Sequence, residues 1–282
     1  MNARVRPARR TDRKPLLDFI KDVWGGHDYI PEVWDDWYED KRGRMFVVED
    51  DGKPVGMNRV RFMDDGSAWF EGARVHPSHR GKGLASLLGE NSMKVAKEKG
   101  VSVFRLTSNS RNRTAHRQIA RMRFDEVARV SIYSPDERTQ LSPQRNVRVA
   151  SGDDLGEVER MVHSSREYAL GAGVMWESFA ATRLTSKVLR GLIRDKSVLM
   201  AGAGVAVARR GGEGKELWNQ VCFLGGDPAD ALKLARHIFA DPRKAAWSIA
   251  YMPHGSPIIG ALRAGGFRRS TSLILFERRA NG

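Results

Sequence analysis

Cysteine is almost absent: Cys222 is the only one in 282 residues. A single thiol excludes an internal disulfide and fits a reducing compartment, so a cytoplasmic location is expected. It lies in the apolar run Val221-Cys222-Phe223-Leu224, which points to interior packing and not to nucleophilic work. No Cys/His cluster has zinc spacing, and no metal is expected. No apolar run approaches the ~18 residues of a membrane span. The first ten residues are basic but lack the apolar segment of a signal peptide. A dinucleotide fingerprint needs three glycines in its own spacing, and a Walker loop needs Gly-Lys followed by Ser or Thr; neither is present.

Hydrophobic residues make up 41% of the chain, enough for real cores, and the length suits two domains of ordinary size. Net charge is +14. Such an excess fits a nucleic-acid partner, an anionic cofactor with several phosphates, or a surface that uses arginine for solubility. The basic residues are spread along the chain, without the aromatic spacing of an RNA-binding motif or a helix-turn-helix. Cofactor phosphates together with a solvated surface are therefore favoured over nucleic acid.

The chain is organised around residues 74–88. Trp69 to Val75 has strand character, Pro77 and Ser78 close it, and Arg80-Gly81-Lys82-Gly83 leads into Leu84, Leu87 and Leu88 at helical spacing. Two glycines let the backbone approach a ligand closely. The free N–H groups of the first helical turn, with the positive end of the helix dipole, make an anion site. Arg80 and Lys82 add charge to it. This chemistry suits a pyrophosphate; the plainer alternative is a glycine turn with a solvated basic rim. The order Arg80-x-x-Gly83-x-Ala85 after Val75-His-Pro77 resembles the acetyl-CoA loop of the GCN5-related N-acetyltransferases (GNAT).

The periodicity predicts a strand at 5–8, a helix opened by Thr11 or Asp12, and a second helix around Trp34, Trp37 and Tyr38. Strands follow at 45–49, 55–62 and 68–75, then a helix to Lys99, a strand at 101–107, a helix at 112–122 and a strand at 127–133. That order is the one the resemblance implies for residues 1–134. Residues 135–146 read as a linker, and the pattern restarts over 147–282. Val147-Arg-Val-Ala150 echoes Val5-Arg-Pro-Ala8, and Gly204 and Phe223 stand as far apart as Gly56 and Val75. The expected fold class is α/β (α+β): two GNAT-fold domains in tandem, each a mixed, mostly antiparallel sheet flanked by helices. In the register of the repeat, Arg80 falls on Pro228, Gly81 on Ala229, Gly83 on Ala231 and Glu71 on Asn219. The second domain is expected to be degenerate, a wall for an acceptor cleft or a surface for a homodimer.

Several site residues follow from the resemblance. Ala73, Arg74 and Val75 would present their backbones to the pantetheine arm of acetyl-CoA. Arg80, Gly81, Lys82, Gly83, Leu84 and Ala85 would hold its phosphates. Asn112, at the start of an Asn-x-x-Ala helix, would touch the cofactor or cap the helix. Glu71 is the candidate base. Strand alternation places it on the face of Ala73 and Val75, partly desolvated between Trp69 and Phe70, a setting in which a carboxylate can work near neutral pH. A glutamate simply paired with a nearby arginine is the alternative. Many family members place a tyrosine acid seven residues after the asparagine; here that position is Ile119, and His116 one turn earlier is the candidate substitute. Arg105 could bind an acceptor carboxylate or a cofactor phosphate.

Asp28 and Tyr29, in Gly25-Gly-His-Asp-Tyr-Ile-Pro31, are the candidate acceptor residues, a carboxylate and a ring for an ammonium. That stretch, with Glu71-Gly-x-Arg-Val75 and Arg105-Leu-Thr107, is similar to vertebrate histidine N-acetyltransferase-like members of the family. A small-molecule primary amine such as an amino acid is thus the first expected acceptor, an amine antibiotic or polyamine the next. A protein N-acetyltransferase and a non-catalytic acyl-CoA-sensing protein remain as alternatives.

Overall fold

The computed structural model describes residues 2–21, 23–139, 141–211, 217–240 and 245–280. The chain opens with β1 (Ala3–Pro7), α1 (Arg13–Ile20) and α2 (Ile30–Glu39). Then come β2 (Gly43–Asp50), β3 (Lys53–Phe62), β4 (Ala68–Val75), α3 (Leu84–Glu98), β5 (Val103–Asn109), α4 (Arg113–Arg121) and β6 (Asp125–Pro135). The same succession follows in β7 (Arg148–Val149), α5 (Leu155–Ser164), α6 (Arg166–Leu170), the hairpin β8 (Val174–Glu177) and β9 (Ala180–Arg183), and α7 (Ser186–Arg194). It is completed by β10 (Val198–Ala201), β11 (Gly204–Gly211), β12 (Trp218–Gly226), α8 (Pro228–Phe239), β13 (Trp247–Pro253), α9 (Ile258–Ala264) and β14 (Phe267–Arg279). The elements read from periodicity in the first half all form; α6 and the β8–β9 hairpin are additions in the second.

Two compact units result. Unit 1 comprises Met1–Leu106, Asn112–Asp125 and Phe276–Gly282, and unit 2 Thr107–Arg111 and Glu126–Leu275. This division differs from a boundary at 134–147: nearly all of β6 counts with unit 2, and the end of β14 with unit 1. In unit 1 the strand order is β1-β2-β3-β4-β5-β14, with β1 to β4 antiparallel and β4–β5 parallel. Unit 2 runs β14-β6-β13-β12-β11-β10-β7, again with a parallel pair at β12–β13. On one face of unit 1, Leu16, Ile20, Ile30 and Trp34 of α1 and α2 pack on Met45, Val47 and Met57 of the sheet. Trp34 is thus a core residue, as its helical spacing suggests.

The duplication extends to a polar detail. Arg6 donates from both terminal nitrogens to Asp12, at 2.7 and 2.8 Å, and the N–H of Arg9 donates to the same carboxylate at 2.7 Å. Arg148, Asp154 and Ser151 repeat this in unit 2 at the same sequence spacing and the same distances. In unit 1 the pair is buried. Burial pushes the Asp12 carboxyl up, but Arg6 and the N–H of Arg9 outweigh that and hold it below its ordinary 3.8. A carboxyl depressed on folding stabilises the fold above its unfolded value and loses that contribution as pH falls through the folded one. The gap in urea midpoint between wild type and Asp12→Asn should therefore hold from neutral pH to about pH 5 and shrink only as pH falls further toward about pH 2. A gap independent of pH would remove the ion pair from the account of stability.

Candidate active site

Between β4 and α3 lie only His76 to Gly83, and the conformation of this segment is set by its own residues. His76 Nδ1 accepts from the N–H of Ser78 at 3.3 Å and caps a short 3-10 turn over Pro77–His79. Gly81 and Gly83 then take left-handed backbone, with φ of +77° and +80°. A β-carbon at either would point into open space, so the glycines serve conformation and approach, not packing. Gly83 is the residue before α3, and no side chain caps the helix. Among the described residues nothing accepts from the backbone N–H groups of Gly81 to Ser86. Open donors at a helix N-terminus, flanked by exposed Arg80 and Lys82, are an anion site. Arg80 leans back, its Nε donating to the carbonyl of Val75 at 3.3 Å. Leu84 is buried, so it and Ala85 contribute backbone donors.

The strand leading into this loop is irregular where it matters. Met57 pairs with Arg74 and Arg59 with Glu71, so β4 carries one residue more than β3 between those rungs. This is a bulge. Gly72 permits it with φ of +67° and by lacking a β-carbon, which would meet the Trp37 ring at 2.5 Å. On the other edge, the ladder to β5 covers only Ala68 with Phe104 and Trp69 with Arg105. The backbone edge from Phe70 through Ala73, Arg74 and Val75 is thereby left out of that ladder.

The bulge corrects the expected orientation of Glu71. Simple alternation would set Glu71 with Ala73 and Val75, but the extra residue sets it on the face of Arg74, opposite Arg59. There its Oε1 accepts from Arg59 Nη1 and stands 3.7 Å from Arg61 Nε. Arg59 is 2% exposed, also donates to Asp40, and lies 5.0 Å from the Trp37 ring centroid. Glu71 is thus an arginine-paired carboxylate beside the bulge, not an isolated one. Arg59 and Asp40 were not singled out by sequence; an arginine among the apolar residues of β3 is the signal that points to them.

Asp28 and Tyr29 occupy the approach to α2, but Asp28 is not available as expected. Its carboxylate is buried, accepts from Arg74 Nε and Nη2 at 2.6 and 3.1 Å, and takes the N–H of Ile30 at 3.1 Å. It fastens the segment before α2 to β4, a positioning role. Tyr29 is 38% exposed, with the Arg74 guanidinium 5.6 Å over its ring and Trp37 edge-on at 5.8 Å. An acceptor can reach Tyr29; the charge of Asp28 is taken.

Asn112 caps α4, its Oδ1 accepting from the N–H of Ala115 at 3.1 Å. His116 lies half-buried against the Phe276 ring at 5.5 Å, and Ile119 is buried. Arg105 is also corrected: it is 2% exposed and donates to Asp65 at 2.6 Å, Ser67 at 3.0 Å and Glu277 at 2.8 Å. Its Nε and Nη1 are thus spent inside the fold. Glu71, the open edge of β4 and the loop thus follow one another along residues 71–86, Tyr29 lies under the Arg74 guanidinium, and Arg105 is held in an internal ion-pair network.

Unit 2 repeats the bulge, in the shift between Val207–Phe223 and Ala208–Val221. It lacks the loop altogether. Only Asp227 separates β12 from α8, so Pro228, Ala229 and Ala231 stand in the first turn of a helix and not in a counterpart of residues 80–83. Asp227 accepts from the N–H groups of Ala229 and Asp230 at 2.9 and 3.1 Å. An internal carboxylate fills the helix end that unit 1 leaves open.

Residues 13–124 match the model of the Acetyltransferase (GNAT) family. Histidine N-acetyltransferase of Xenopus tropicalis is 29% identical over 142 residues, 48% of this chain and 43% of that protein. The chain therefore spans less than half the length of this relative. A GCN5-related N-acetyltransferase from Sphaerobacter thermophilus superposes with a TM-score of 0.66 at 14% identity, over 99% of this chain and 96% of its own. A tandem GNAT protein from the clavulanic acid biosynthesis pathway does so with a TM-score of 0.59 at 11% identity, over 99% of both chains. At such identities these likenesses speak to fold, and they cover both units. Residues 13–124 are thus similar to the GNAT acetyltransferase family, and the fold of the chain is that of two such folds in tandem.

Proposed function

We propose that this chain is an acetyl-CoA-dependent N-acetyltransferase, with unit 1 as the working domain and a primary amine of a small molecule, such as an amino acid, as acceptor. The observation that carries this reading is the run of unclaimed N–H groups from Gly81 to Ser86 at the start of α3. Its donor chemistry suits the pyrophosphate of CoA, with Arg80 and Lys82 as counter-charges. The free edge of β4 from Ala73 to Val75 suits the pantetheine amides. Acetyl-CoA supplies the activated acyl group. Everything else asked of the protein is to orient an amine, take its proton and exclude competing water.

Glu71 is the group proposed to take that proton, directly or through a water, with Arg59 fixing where its carboxylate sits. Cys222 is excluded as an acyl carrier: it is 1% exposed in unit 2, and burial pushes its thiol well up, away from the thiolate. Direct attack by the amine is thus the proposed route. The acceptor class is supported by the accessible Tyr29 ring and by the likeness to histidine N-acetyltransferase of Xenopus tropicalis. No described helix is long and apolar enough to cross a membrane.

The experiment is thiol release from acetyl-CoA against free amino acids including histidine, aminoglycosides, polyamines and a lysine peptide. Release with a free amino acid is expected, and Glu71→Gln should lower its rate about a hundredfold with acetyl-CoA affinity unchanged. Release with the peptide alone would favour a protein acceptor. Acetyl-CoA binding with no turnover on any amine would favour the sensing reading, in which Ile119 stands where an acid is missing.

A further inference from the structure

A second basic concavity lies in unit 2, in a cavity of about 450 Å3 beside the turn from α9 into β14. Arg138, Arg236, Arg263 and Arg268 line it, and Asp136 is the single carboxylate among its described lining residues. Asp136 is occupied, since it pairs with Arg268 and accepts from the N–H of Arg138 at 3.0 Å. The side chains of Arg138 and Arg263 have no partner among the described residues, and the Nε of Arg236 is buried without one. Arg236 and Arg263 stand in the last turns of α8 and α9, where a helix dipole favours cations. That accounts for each helix separately. It does not account for both facing one cavity with Arg138 and Arg268, where like charges repel.

The cavity floor narrows the chemistry. The N–H groups of Gly265 and Gly266 are spent on the carbonyls of Ala261 and Arg263, at 2.8 and 3.1 Å. Backbone donors are thus closed, unlike those of unit 1, and recognition falls to guanidinium forks, which match phosphate oxygens in pairs. Four cations against one satisfied carboxylate call for an anion of more than one charge. The volume is that of a pocket for a small molecule. We propose that this cavity of unit 2 binds a small, multiply charged phosphate compound, independently of the loop in unit 1.

The test is calorimetric titration of inorganic pyrophosphate, in protein whose first site has been closed by Arg80→Ala with Gly83→Trp. One pyrophosphate per chain should still bind. Adding Arg236→Gln and Arg263→Gln should weaken it at least tenfold, and the exposed pair Arg138→Gln with Arg268→Gln should do the same should the first pair fold poorly. Absence of binding in the closed-loop protein, or affinity unmoved by both pairs, would overturn the proposal. So would a DNA duplex that binds more tightly than pyrophosphate through the same arginines, since the site would then be a nucleic-acid surface.

Discussion

Gly83→Trp combined with Arg80→Ala is expected to lower the affinity for acetyl-CoA about a thousandfold, roughly 4 kcal/mol. The loop contributes unclaimed N–H groups from Gly81 to Ser86, and a hydrogen bond to a charged oxygen is worth about 1.5–3 kcal/mol. An indole on residue 83 occupies open space next to those donors, and the loss of Arg80 removes the adjacent charge. The left-handed backbone of Gly83 adds strain of about 1–2 kcal/mol for any other residue. Gly100 separates these effects. It closes α3 with φ of +77° and open space around its missing β-carbon, so Gly100→Ala carries a similar backbone penalty far from the donors. Calorimetry should show weakened binding in the loop variant alone, while both lose stability in urea. Undiminished affinity in the loop variant would place the cofactor elsewhere and remove the proposed function.

Arg105→Met should cost about 3–5 kcal/mol of stability and leave the KM for the amine unchanged in whatever protein still folds. The guanidinium answers two carboxylates, Asp65 and Glu277, whose side chains are 2% and 9% exposed. Methionine fills the space but removes the guanidinium those two buried carboxylates share. The end of β14 is tied to β5 by one of these bonds, and the turn before β4 by the other two. Thermal unfolding should show the loss, with Arg105→Lys recovering part of it. A raised KM at unaltered stability would return Arg105 to the acceptor site.

The strands and helices of unit 1 were legible because their signals are local. Apolar spacing marks each element, and glycine with proline marks each break. The loop at 76–83 was legible for the same reason: its donors, its glycines and its charges are neighbours in sequence. Gly72 also carried a readable sign, an isolated glycine inside a strand pattern, which predicts a bulge. The repeat was visible in Val147-Arg-Val-Ala150, but its register slipped after β12, because a deleted loop leaves no residue to count.

The state of each charged group could not be read that way. Glu71 meets Arg59 across 12 positions, Asp28 meets Arg74 across 46, and Arg105 meets Glu277 across 172. By itself the sequence determined the glycine loop, the order of elements and the presence of two copies, since periodicity and backbone freedom belong to neighbouring residues. Only the tertiary structure decided which carboxylates are free and which are spent, because an ion pair depends on which strand arrives alongside, and the bulge in β4 turned Glu71 to the face where Arg59 was waiting.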